Sequence, residues 1–297
     1  MNNFQEILPF LKTIEKQRQK IAINYVFIGI GAFVGVCFII SNLGLVAQSK
    51  FIATILGLVI IVFATKKHYL KNMEKKIKAK VLNKIIQNLG FSWTNSFINS
   101  NIITKSKLFV GFDFMSKDDE FVALKDNLAI AICEAKISKN AKIKRSNLMS
   151  KIDTPSAFNG VIIACMFYDK NISSHTILVP KNSAQDVLNL NKTELESPKF
   201  NEKYAVFTND EIEARVILNP SFMEKLSQIV NVFGKDEAYC AFYENIVLVA
   251  INADKDLFAL QIKQNLDEYK EQFDKITLEL KSVINLIDYL NLEKIYK

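Results

Sequence analysis

The sequence predicts an α+β protein built from a two-helix transmembrane hairpin, amphipathic stalk helices, a mostly antiparallel α+β soluble domain and a long C-terminal helix. Three observations carry this. Residues 21–49 hold no charge and, after Lys50, neither do residues 51–65. Apolar runs of strand length follow between 91 and 260. The last part of the chain repeats large apolar side chains in alternating steps of four and three, the spacing of a buried helix seam.

The elements follow in order. Phe4, Ile7, Leu8, Leu11 and Ile14 recur at helical spacing, so 1–20 reads as an amphipathic N-terminal helix. The stretch of 21–65, charged only at Lys50, is too long for one span, because a bilayer core takes roughly 20 apolar residues per helix. It divides into helices near 21–40 and 45–65, with the turn at Ser41-Asn42-Leu43-Gly44. Gly31 with Gly35, and Ala53 with Gly57, give each span a small-residue face for close packing. Lys16, Arg18 and Lys20 flank the first span, and Lys66, Lys67 and Lys71 flank the second. Basic residues concentrate on the cytoplasmic side of membrane helices, so both termini and the soluble domain are expected in the cytoplasm. Residues 66–90 then read as a lysine-rich stalk helix ending at Gly90.

Within 91–260 the strand candidates are 91–97, 107–114, 128–137, 161–168, 176–179 and 204–208. Asp118-Asp119-Glu120 reads as a solvated turn before a strand that begins at Phe121. Asn219-Pro220 is a helix start, with Gly234 as its stop. Strands 238–243 and 246–251, joined by Glu244-Asn245, make a tight hairpin. In 261–297 the seam is Ile262, Leu266, Tyr269, Phe273, Ile276, Leu280, Val283, Ile287 and Leu290. Its partner is another helix of the same chain or the same helix of a second copy.

Charge narrows the partners. Residues 1–90 hold 13 of the 38 lysines and arginines but only 3 of the 31 acidic residues, so the rest of the chain is slightly acidic. With Arg18, Arg145 and Arg215 as the only arginines, the planar forks that read guanine are scarce. Nucleic acid is not expected as a partner. Anionic lipid headgroups suit the lysine flanks, and Lys136, Lys139, Lys142, Lys144 and Arg145 form a basic loop.

No catalytic or metal-binding motif stands out, and no cofactor is expected. The four cysteines, Cys37, Cys133, Cys165 and Cys240, are far apart in apolar runs, unlike a disulfide framework or a zinc knuckle. His175 follows Ser173 and Ser174, too near in sequence to serve either as base without a special turn. An enzyme would have to gather carboxylates such as Glu134, Asp153 and Asp169 into one pocket.

The segment FNEKYAVFTNDEIEARVILNP (Phe200 to Pro220) followed by SFMEKL, the hairpin AYCAFYENIVLVAI, the nearby Phe258 and the closing INLIDYLNL resemble the bacterial membrane proteins of the domain-of-unknown-function 3137 family. The resemblance takes in nearly the whole chain, including an N-terminal membrane hairpin. It implies a location in the bacterial inner membrane, and it brings no activity or catalytic residue. Together these readings predict a membrane-anchored interaction or regulatory protein, integral with two spans, that binds a protein partner or itself. The alternative is a membrane-anchored enzyme with a carboxylate site.

Overall fold

A computed structural model describes residues 4–41, 75–109, 111–125, 127–138, 156–169, 171–183, 189–233, 237–253, 258 and 266–289. The chain divides into two compact units, Met1–Ile85 with Ala259–Asp274 and Ile86–Phe258 with Lys275–Lys297.

In the first unit, α1 (Phe4–Ser41) is one continuous helix, and α2 covers 75–88 among the described residues. Phe4, Ile7, Leu11 and Ile14 are buried on α1, as are Ile77, Val81, Leu82 and Ile85 on α2. The helices run antiparallel here. Lys84 bridges to Glu6 at 2.6 Å, and the Lys80 ammonium lies 4.2 Å from the centre of the Phe10 ring. Phe4 also meets Phe273 edge-on, with centroids 5.6 Å apart.

The expected transmembrane hairpin is overturned. Among the described residues no helix is long and apolar enough to cross a membrane, and the expected two-span integral attachment falls with it. A charge-free run does not say where its helix begins. The stretch from Ile21 continues a helix that starts at Phe4 and carries Glu6, Lys12, Glu15, Lys16, Arg18 and Lys20. Ser41 of the expected turn ends α1, whereas residues 42–44, the second expected span, Ala53, Gly57, Lys66, Lys67 and Lys71 lie outside the described residues. On α1, Lys16 and Lys20 are exposed, and a side chain at Gly31 or Gly35 would meet nothing within 4 Å.

The second unit is an antiparallel α+β domain. Its sheet comprises β1 (Ser92–Thr94), β2 (Phe114–Lys125), β3 (Leu128–Ser138), β4 (Ser156–Phe167), β5 (Ile172–Pro180), β6 (Asn191–Thr193), β7 (Tyr204–Thr208), β8 (Ala238–Glu244) and β9 (Ile246–Asn252). Their order across the sheet is β1-β2-β3-β4-β9-β8-β5-β7-β6. Around the sheet lie α3 (Ser100–Ser106), α4 (Pro198–Lys203), α5 (Glu211–Ile217) and α6 (Pro220–Phe233). The 24-residue α7 (Leu266–Tyr289) is divided, with its residues up to Asp274 in the first unit and those from Lys275 in the second.

Both faces of the central strands are covered, which is why they read as unbroken apolar runs. On one face, Ala131, Cys133, Ile162, Ala164, Ile177, Tyr239, Ala241 and Leu248 join one cluster with Ile102, Ile103, Leu108 and Phe109. On the other face, Phe242 meets Phe222 from α6 in a T-shaped contact, and Phe121 meets Phe258 in the same way. Asn219 caps α6 through Phe222 N at 3.0 Å. Gly160 on β4 is required by its neighbours, because a Cβ there would run into the Ile251 carbonyl.

Two local readings change. The 107–114 run is not a strand, and its Leu108 and Phe109 fill the sheet face instead. Asp118-Asp119-Glu120 is not a solvated turn but a bulge inside β2, with Asp119 at φ 35° and Glu120 opposite Cys133. Glu120 is buried and takes the Ile98 N–H at 2.6 Å and the Lys117 ammonium at 2.8 Å.

Along the seam of α7, Tyr269, Phe273, Ile276, Leu280 and Val283 are buried. Ile262 and Leu290 lie outside the described residues, and Leu266 and Ile287 are described only as helical backbone.

Candidate functional site

A gathering of polar side chains lies at one end of β5. There β5 leaves its register with β8 between Ile172 and Thr176, so Ser173, Ser174 and His175 form a bulge that redirects their side chains. The Ser174 and His175 N–H groups, lost to the ladder, go to Glu213 Oε2 at 2.6 Å and Asn209 Oδ1 at 2.7 Å. Asp210 sets the position of Glu213 by capping α5, accepting from Ile212 N and Glu213 N. Thr208, at the end of β7, meets Thr176 at 2.8 Å and closes the same corner.

The opposite wall is α3, whose N-cap Asn99 accepts from Asn101 N and Ile102 N. Its C-cap is Lys107 at φ 59° and ψ 10°, a left-handed position that Gly or Asn takes without strain. The third wall is the β8–β9 hairpin, where Glu244 stands at φ 51° and its carboxylate holds Lys105 Nζ at 3.0 and 3.1 Å. A non-glycine residue in this conformation costs about 1 kcal/mol. Strained backbone of this kind concentrates at functional sites. The walls enclose an open cleft of about 450 Å³, lined among others by Lys105, Lys107, Asn171, Ser173, Asn209 and Glu244.

His175 stacks on Tyr243, with centroids 5.3 Å apart and planes at 26°. Its Nε2 lies 3.2 Å from the Ser106 carbonyl, a partner that can only accept, which assigns the proton to Nε2. Burial lowers its pKa and Lys107 adds to that, while the Ser106 bond and Glu244 pull the other way. The neutral imidazole is thus a bolt between α3 and the sheet. Tyr243, whose hydroxyl donates to Ile102 O at 2.8 Å, has its pKa raised by burial and by Glu244.

The neighbouring serines turn elsewhere. Ser173 Oγ donates to Glu213 Oε2 at 2.9 Å, and Ser174 Oγ faces Thr176 Oγ1 at 3.3 Å. The carboxylates singled out in the sequence do not converge. Glu134 pairs with Val161, whereas Asp169 follows the end of β4, where Phe167 pairs with Leu128. Six positions along β3 put them on the order of 20 Å apart. Asp153 lies outside the described residues, and Asp169 accepts from Asn127 Nδ2 at 3.0 Å. Among the described residues no group of three or more His, Cys, Asp or Glu side chains could hold a metal ion. Lys105, Asn209, Glu213, Tyr243 and Glu244 carry no shared motif; the pairing of β5 with β7 and β8 gathers the last four, and Lys105 joins them from α3 through its ion pair with Glu244.

Residues 156–292 match the family described as "Protein of unknown function (DUF3137)". Over that segment the chain is similar to this family. The DUF3137 match begins at β4 and takes in the β5 bulge, α5 and the β8–β9 hairpin. It is narrower than the resemblance read from the sequence, because it omits α1, α3 and β1 to β3. No curated protein and no solved structure matches the chain.

Proposed function

We propose that this chain is an interaction or regulatory protein whose α+β domain recognises a protein partner in the reducing environment of the cytoplasm. The observation that carries the reading is the internal use of the His175 constellation. A general base needs a nucleophile within hydrogen-bond reach. Here the imidazole is bound to the Ser106 carbonyl, and Ser173 and Ser174 face Glu213 and Thr176. What remains at the surface is an open cleft, suited to recognition rather than to enclosing a reaction. Three buried free cysteines, Cys133, Cys165 and Cys240, support the assignment of compartment.

Crosslinking of the intact protein in its native cells, followed by mass spectrometry of linked lysines, tests this. Reproducible links from one face of the α+β domain to a second protein are the expected result. Efficient labelling that yields links within the chain alone overturns it.

A further inference from the structure

We propose that the cleft between α3, the β5 bulge and the β8–β9 hairpin takes a carboxylate-bearing peptide segment of the partner, captured by Lys105 in exchange for Glu244. This rests on the interaction reading above and names the chemistry that the cleft selects.

Two carboxylates of the chain itself already sit at this corner. Glu213 is gripped by the Ser173 hydroxyl and the Ser174 N–H, at 2.9 and 2.6 Å, and is not among the residues that line the cleft. Glu244 instead holds Lys105 in the open, with the two side chains 55% and 48% exposed. An ion pair this exposed is weakly held, so an incoming carboxylate can replace Glu244 without leaving a buried charge unpaired.

The backbone points to the same place. Of the five non-glycine residues at positive φ among the described residues, Lys107 and Glu244 both line this cleft. Each occupies a position that glycine would fill without strain, and each carries a charge that glycine would remove. The acceptor is a carboxylate rather than a phosphate dianion. The bulge amides of Ser174 and His175 are already taken by Glu213 and Asn209.

The intact chain carries two histidines, His68 and His175, so a sample labelled with ¹³C at histidine gives two imidazole signals, assigned with His175→Gln. Titration with acetyl-Gly-Glu-Gly-Glu-Gly-amide at fixed ionic strength is expected to move the His175 signal to saturation. Lys105→Ala should weaken this binding roughly tenfold, the loss of one charge-assisted contact. Glu244→Gly and Lys107→Gly should each raise the melting temperature by about 2–4 °C through relief of the backbone. Their effects on binding should be opposite, with Glu244→Gly tightening it by removing the competitor and Lys107→Gly weakening it. A purely structural role would not split them.

The proposal is overturned if no saturable shift occurs, if Lys105→Ala binds unchanged, or if the uncharged analogue acetyl-Gly-Gln-Gly-Gln-Gly-amide or inorganic phosphate gives the same response. Crosslinks to a partner that avoid Lys105 and Lys107 would leave the interaction reading in place and remove this cleft from it. Saturable peptide binding with no partner captured would do the reverse.

Discussion

The Lys117 ammonium lies 2.8 Å from the Glu120 carboxylate, and both are drawn inward by the bulge in β2. Lys117 also donates to the Asn95 and Ile98 carbonyls, while Glu120 accepts from Ile98 N. The pair therefore staples the segment before α3 to the sheet. Removing one member of a buried pair strands the other. Lys117→Ala is expected to cost about 3 kcal/mol, and Lys117→Met with Glu120→Leu should recover most of it. Urea unfolding followed by the fluorescence of Trp93, the single tryptophan, reads this edge directly, because its ring sits 4.7 Å from that of Phe121.

Gly160→Ala sets a new Cβ against the Ile251 carbonyl and within 2.8 Å of Ala253 N. The strands must part or the variant must strain, at about 3 kcal/mol. Gly90→Ala has open space around it but a φ of +81°, so it should lose only about 1 kcal/mol. Thermal melts by circular dichroism rank the two, and equal losses would refute the collision.

The pH dependence of stability follows from His175. Its folded pKa lies below the ordinary 6.5, so below that value the unfolded chain binds the extra proton first. Stability is expected to fall as pH drops from 6.5 towards the lower folded value, and to hold above it. The charged groups facing the ring are Lys107 and Glu244. His175→Gln, which keeps an N–H donor, should flatten this part of the curve in urea titrations across pH 5 to 8. A slope that persists in the variant would assign it elsewhere.

The thiols give a further expectation. Burial pushes Cys165 up to about 12 and raises Cys133 and Cys240 as well, so the reactive thiolate is scarce at neutral pH. Iodoacetamide at pH 8 should leave the peptides carrying these three residues unmodified in the folded protein and alkylate them in urea. Rapid alkylation without denaturant would mean that the sheet opens readily.

Part of this architecture is legible in the sequence, for identifiable reasons. Strand 204–208 coincides with β7, and Asn219-Pro220 opens α6, because a cap and a proline act locally. The β8–β9 hairpin follows from two apolar runs separated by two residues. Glu120 misled because three adjacent acids look solvated, whereas Lys117 and Ile98 N supply the charge and hydrogen bond that allow burial. The run at 107–114 misled because apolar content alone does not separate a strand from a plug on a sheet face. The cleft was illegible altogether. Its charged and polar groups come from α3, β5, the β7–α5 turn and β8, and are neighbours only through pairings that no local pattern records.

The strand order has a consequence for the timing of synthesis. β9 pairs with β4, and β8 pairs with β5, so the last hairpin of the sheet to leave the ribosome is the one that joins its two halves. Until Asn252 has emerged, β4 and β5 each present an open edge, and such edges recruit other chains. The nascent protein thus depends on prompt arrival of its final hairpin. A pause in translation before Ala238 would expose two half-sheets to mispairing, whereas the same pause after Asn252 would find the sheet closed.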